Sequence, residues 1–366
     1  MPRTKPSPAK GPQIGRFSPP RAPQTPVERA RLSERIEASD APLALICAPA
    51  GFGKTTLMQQ LRQRYQARDL ATVWLQLDRA DNELGRFLQS LIGALRVALP
   101  QFLPPDLARP QQRGTAQGLA ADLLDRISLS DAAIALFLDD LELMTDQDVR
   151  DFLQRLLTNL GPHQRVVIGS RTAPALALGR LRAHGLLLEI DQADLRFTKE
   201  ETASYLDRQS LGAPAVLQSL QQRTEGWPVA LQLAVITLNA KGRGGSDWLR
   251  RFSGSTDSVA EYLAQEVLDS RPATQRDFLL RSSMLGEFCA EMCDAVLERT
   301  DSREVIARLY KSRVLRTQHG LSNRQSALQQ SQRALISAEL AIDVTQRDEN
   351  PRNIPVDCTK GLLSER

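Results

Sequence analysis

The stretch APAGFGKTTL, Ala48–Leu57, decides the fold of this chain. Ala48 to Thr55 fits the P-loop pattern, with Ala in a first position where Gly is also common. An apolar run precedes it and an amphipathic run follows, the strand–loop–helix setting that the motif needs. Gly51 and Gly53 let backbone N–H groups turn toward phosphate oxygens, and the N-terminus of the next helix adds its dipole. The expected nucleotide contacts are Ala50, Gly51, Phe52, Gly53, Lys54, Thr55 and Thr56. Lys54 is to reach the β- and γ-phosphates, and the Thr55 hydroxyl is to ligate Mg²⁺.

From Arg29 to about Glu189, short apolar runs alternate with longer amphipathic ones, the signature of α/β layering around a parallel sheet. The spacing predicts strands at Leu43–Cys47, Thr72–Leu77, Ile134–Leu138, Val166–Ile168 and Leu186–Ile190. Helical periodicity is strongest at Thr55–Tyr65, Glu83–Leu99 and Val149–Leu160. Pro100–Gly118, with its Pro, Gly and Gln, reads as a surface loop. After Asp194 helix follows helix. Thr198 with Glu201 marks a capping-box start, a second helix runs from about Val229 to Asn239, and KGRGGS (Lys241–Ser246) is a joint. Short helices are expected from Thr256 to about Leu315, beyond which apolar density falls.

The run AIALFLDDLELM, Ala133–Met144, is a strand ending in two carboxylates. Downstream of a P-loop this reads as Walker B: Asp139 binds Mg²⁺, usually through water, and Asp140 orients or deprotonates the attacking water. VVIGSR is a further strand. If it neighbours the Walker B strand, its end brings Ser170 and Arg171 beside the same phosphates, where Arg171 reads the γ-phosphate by charge and fork geometry; an exposed surface arginine is the competing reading. No Asn-Lys-x-Asp guanine reader, no Leu-Ser-Gly-Gly-Gln transporter signature and no His-Arg-Asp or Asp-Phe-Gly kinase motif occurs. An ATPase remains.

Across 366 residues the formal charge is only +4, compatible with nucleic acid but mild for this length. The one stretch of single sign is Met1–Pro26, with eight prolines, five Lys or Arg and no acid, a composition that buries no core; it reads as a disordered, solvated tail or a basic arm for DNA phosphates. No apolar run approaches the ~20 residues needed to cross a bilayer, and the start lacks the apolar stretch of a secretion signal, so a cytoplasmic location is expected. Cys47 lies in an apolar run and Cys358 stands alone. Cys289 and Cys293 fit a helix core better than a metal site, having no nearby His and no second Cys pair.

RARLSERI, APAGFGKTTL, VWLQLDRADNELGRFLQSLIGAL, LFLDDLELM, VVIGSR, DLRFTKEE and RTEGWPVALQLA, in this order, resemble the ATPase region of large LuxR-type bacterial regulators such as the maltose-regulon activator, among the signal-transduction ATPases with numerous domains. The resemblance covers about Val27 to Leu315. It implies an α/β P-loop domain with a five-stranded parallel sheet (27–194), a helical lid (195–245) and a winged-helix domain (246–315). It also implies that Pro228 of the Gly226-Trp227-Pro228 turn packs near the base and that Arg31 and Leu32 lie near the adenine. The local reading of that turn is that Gly226 ends one helix and Pro228 begins the next. Residues 316–366 depart from the family pattern; GLSNRQSA (Gly320–Ala327) resembles only the opening of its helix-turn-helix, and a truncated or rearranged C-terminus is expected.

The function so implied is a switch: ADP holds a closed state, ATP with an inducer favours an open, self-associating one, and weak ATP hydrolysis resets it. An AAA+-like ATPase doing mechanical work on nucleic acid or protein is the alternative, and a nucleotide-binding remnant without output is a third. Sequence-specific DNA binding is not expected of this chain alone, since nothing after Leu315 supplies a reading element. Nonspecific, salt-dependent contact through the basic arm is the most that its charge supports.

Overall fold

Strands β1 (Leu43–Cys47), β2 (Ala71–Gln76), β3 (Ile134–Asp139), β4 (Gln164–Ser170) and β5 (Leu187–Ile190) form one parallel sheet in the order β2-β3-β4-β1-β5. β1 and β3 are buried at every residue, as strands covered by helices on both faces must be. The computed structural model describes residues 14–22, 26–103, 115–241, 272–282 and 290–311. Among these, no helix is long and apolar enough to cross a membrane. The chain divides into two compact units, Met1–Phe252 with Glu304–Arg324, and Ser253–Arg303 with Gln325–Arg366.

In the first unit, α1 (Ala30–Glu37) precedes β1, and α2 (Lys54–Gln66) leaves it directly. Three helices, α3 (Leu84–Ala98), α4 (Ala116–Ser128) and α5 (Gln147–Thr158), pack their apolar faces into one cluster with the sheet, where Phe87 meets Phe152 edge to face at 5.8 Å. Each of α4 and α5 starts where a side chain takes up an orphan N–H: Thr115 accepts from Gly118, and Asp146 from Val149. The expected loop Pro100–Gly118 thus overlaps the first three residues of α4. Residues 104–114 lie outside the described ones.

Insertion of β4 between β1 and β3 positions the site. Cys47 stands level with Ser170, Leu138 with Ile168, and Asp139 with Gln76, so the ends of four strands open at one edge. Ligands of open parallel sheets bind at that carboxyl edge.

α6 (Leu178–Ala183) precedes β5, and beyond that strand come α7 (Gln192–Leu195), α8 (Lys199–Asp207), α9 (Pro214–Thr224) and α10 (Pro228–Lys241). The capping box at Thr198 is present in both halves: its hydroxyl accepts from Glu201 N, and Glu201 accepts from Thr198 N. α9 ends on Glu225 and Gly226, both left-handed, and Pro228 is the first residue of α10. In the second unit Phe278, Leu279, Cys293 and Leu297 are buried on helices Ala273–Ser282 and Ala290–Leu297, and the Arg299 guanidinium lies 5.2 Å from the Phe278 ring centre. Cys289 and Cys358 lie outside the described residues.

One expectation needs correction. Within the tail assigned to 1–26, Ile14–Phe17 form a 3-10 turn, Phe17 is buried, and its ring occupies the space a side chain at Gly93 would need. Arg16 bonds to the Gln76 carbonyl at 3.0 Å and ion-pairs with Asp78 and Asp81. Composition averaged over 26 residues hides a four-residue segment that finds its partners 60 or more residues away.

Candidate nucleotide site

Gly51 and Gly53 have φ of 77° and 79°, the left-handed region where glycine costs nothing, and this turns the Ala48–Gly53 loop back over the start of α2. Lys54 opens the helix with its side chain buried and Nζ donating to the Pro49 carbonyl at 3.1 Å. Burial lowers its pKa, opposed by the carboxylates of Glu142, Asp139 and Asp140 and reinforced by Arg171. An ammonium drawn down this way gains most from a polyanion, which supplies the countercharge that water does not. Ala50 is half-buried, and Phe52 is fully buried and stacks on Trp227 with ring centres 5.9 Å apart. Phe52 therefore joins the loop to the segment before α10.

The Thr55 hydroxyl donates to Asp139 Oδ2 at 2.7 Å, joining the first turn of α2 to the end of β3 across 84 positions of sequence. Asp139 is 1% exposed. Burial pushes its carboxyl up to about 6, offset in part by the Thr55 bond and raised further by Asp140. A cation placed against this hydroxyl–carboxylate pair would relieve that cost, and hard oxygen donors are the set Mg²⁺ takes. Space for the carboxyl comes from β4: a Cβ on Gly169 would overlap both Asp139 Oδ1 and Met58 Sδ.

Asp140 adopts φ 62°, a conformation Asp tolerates better than most residues, and Gln76 Nε2 donates to its Oδ2 at 3.4 Å. Arg171 follows β4, which pairs with β3. Its backbone N–H and Nε bond to Glu142 at 2.9 and 3.2 Å, and Ser170 Oγ donates to the same carboxylate at 3.3 Å. Glu142 therefore orients the Arg171 guanidinium and is the largest countercharge acting on Lys54. Sequence reading passed over Glu142 and Gln76. The first stands two positions after Asp140, a spacing that could have been read; nothing local marks the second.

The other half of the site is a cavity of about 480 Å³ above the loop, with Gly51, Gly53 and Thr56 at one end. Pro26, Val27 and Arg29 line one side, and Tyr205, Pro228 and Gln232 line the other. Val229 N–H, in the first turn of α10, donates to the Gly51 carbonyl at 3.2 Å, so this helix rests on the phosphate loop itself. Gly226 makes the approach feasible: its carbonyl accepts from Phe197 N–H at 2.8 Å, and any Cβ there would overlap the Phe197 backbone.

Pro228 thus reaches the cavity. Arg31 lies off its walls, bonded to Glu201 and to the carbonyls of Asp194 and Arg196, and Leu32 is buried. Val27 and Arg29 line the cavity instead. Arg29 is 2% exposed, pairs with Glu201 at 3.2 Å, donates to the Leu195 carbonyl at 2.8 Å and lies 4.8 Å from the Phe197 ring centre.

Residues 36–176 match the family model of the AAA domain, and residues 264–350 match that of the MalT winged helix domain. The chain is 34% identical over 288 residues to the serine/threonine-protein kinase PknK of Mycobacterium tuberculosis, covering 76% of this chain and 26% of that protein. It is 32% identical over 285 residues to the HTH-type transcriptional regulator MalT of Klebsiella pneumoniae, covering 76% and 31%. It thus spans about a quarter to a third of the length of these relatives. Among solved structures, a Walker-type ATPase of Pyrococcus abyssi superposes with a TM-score of 0.59 at 12% identity, over 85% of this chain and 96% of that one, a likeness of fold alone.

Proposed function

We propose that this chain, homologous over three quarters of its length to the large LuxR-type regulator MalT and to PknK, is a nucleotide-operated switch. In this reading residues 27–194 are the ATPase domain and 195–245 its lid. Lys54 and the loop amides hold the phosphates of ATP or ADP. Thr55 and Asp139 hold Mg²⁺, which when bound neutralises phosphate charge. Asp140 orients the attacking water and takes up its proton, while Arg171, steadied by Glu142, meets the charge that develops on the γ-phosphate. ADP keeps the lid on the loop; ATP favours release and self-association.

The observation that carries this reading is the bond from Val229 N–H to the Gly51 carbonyl. A lid held by the same loop that holds phosphate shares an equilibrium with the nucleotide, so a ligand that prefers one lid position shifts the population toward it. The test is to identify the nucleotide that copurifies with the full chain by mass spectrometry and to measure steady-state ATP turnover. A switch retains ADP and turns over well below about 1 s⁻¹, the low end for productive enzymes. Turnover within the productive range would favour an ATPase doing mechanical work.

A further inference from the structure

Helix α2 carries both ends of the nucleotide site. Its first turn presents Lys54 and Thr55; Gln60, six residues on and about 9 Å further along the axis, holds the opposite wall. The Gln60 carboxamide donates from Nε2 to the Val27 carbonyl at 2.7 Å and accepts at Oε1 from Arg29 N–H at 2.9 Å. Both of its functional groups are thus spent on the backbone of a segment that lines the cavity. That segment, 26–29, belongs to no helix or strand, so side chains must satisfy its polar groups and set its position.

Neighbouring residues extend the same hold. Gln59 Nε2 donates to the Pro20 carbonyl at 2.7 Å, Arg16 grips the Gln76 carbonyl and Asp81, and Arg208 at the end of α8 donates to the Pro26 carbonyl at 2.9 Å. Among the described residues, Gln60 bonds the backbone of this wall directly to the helix that begins at the phosphate loop, whereas Arg64 on the same helix reaches Glu28 through side chains alone, at 3.9 Å. A two-point bond to groups two residues apart sets register as well as distance. One rigid helix therefore spaces the wall from the cradle.

We propose that Gln60 is a positioning residue of the nucleotide site, holding Val27 and Arg29 as the wall for the nucleoside part of the ligand while Lys54 and Thr55 on the same helix take the phosphates. This rests on the nucleotide reading above. Its consequence is a split: affinity for a nucleoside diphosphate depends on Gln60, and affinity for bare diphosphate does not.

Isothermal titration of the full chain with ADP and with inorganic pyrophosphate, each with Mg²⁺, tests the split in wild type, Gln60→Leu, Gln60→Glu and Lys54→Ala, with circular dichroism to verify folding. Gln60→Leu removes two hydrogen bonds and should weaken ADP binding on the order of tenfold, leaving pyrophosphate binding unchanged. Gln60→Glu, nearly the same shape, keeps the acceptor for Arg29 N–H but sets a carboxylate against the Val27 carbonyl. It should show the same selective loss, and it keeps the test open if the leucine variant does not fold. Unchanged ADP affinity in both variants, or parallel loss of ADP and pyrophosphate, would overturn the assignment. Lys54→Ala should weaken both ligands; if it weakens neither, or if wild type binds neither, the nucleotide reading itself fails and the inference with it.

Discussion

At the phosphate end of the site, consecutive residues Ala48–Gly53 shape a cradle by backbone conformation, two left-handed glycines setting its turns. At the lid end, three segments far apart in sequence meet: 26–29 before the sheet, Phe197–Tyr205 after it, and the start of α10. They are joined by side-chain-to-backbone bonds such as Arg29 to the Leu195 carbonyl, 166 positions away, and Gln60 to the Val27 carbonyl. The first kind of construction is present wherever the local sequence is. The second exists only when the whole unit is folded, so its bonds depend on long-range packing as those of the cradle do not.

Asp140→Asn should separate the two ends most widely. It keeps the side chain's shape and removes its basicity, so single-turnover phosphate release is expected to slow by about 10²- to 10⁴-fold while ADP affinity and lid closure stay as they are. A variant that hydrolyses ATP like the wild type would mean that β3 is not the Walker B strand.

Gly226→Ala breaks the lid end. With φ at 73° and the Phe197 backbone where its Cβ must go, the variant should lose about 2–4 kcal/mol of local stability. Hydrogen exchange followed by mass spectrometry should show faster exchange at Phe197 and Val229 with β1 and β3 unchanged. Uniform exchange across both ends would erase the distinction.

The smallest expected effect is a gain. The Asp139 carboxyl titrates near 6 in the fold, above its ordinary 3.8, because it is buried. Between those values the folded protein binds more protons than the unfolded chain, so stability falls as pH rises through the window and the full cost is present above it. Asp139→Asn should therefore stabilise the metal-free and nucleotide-free protein at pH 7.5 by on the order of 1–3 kcal/mol, with the gain gone below about pH 4. Thermal melts of both proteins at the two pH values measure it. The same variant should bind nucleotide less well when Mg²⁺ is present, a stability gain at the expense of function.

What the sequence by itself determined is local. Apolar runs predicted all five strands to within a few residues, the loop and its glycines were legible because a phosphate turn demands those residue types, and the capping box at Thr198 and the stop at Gly226 were legible because helix ends need particular partners within four residues. Asp139 and Asp140 were legible as the carboxylates that end β3, because an apolar run stopping at two acids marks a strand end. Only the tertiary structure decided the rest. Gly169 is required by a carboxylate on the neighbouring strand, Arg171 by Glu142 across a turn, and the wall at Val27 and Arg29 by a glutamine 31 and 33 positions away. Arg16 and Phe17, in a segment whose composition denies it a core, are ordered by a sheet edge and a glycine on α3. A carboxamide or guanidinium can bond equally well to many backbone groups, so its partner is selected by which segments the fold has already brought within 3 Å, and no local pattern records that choice.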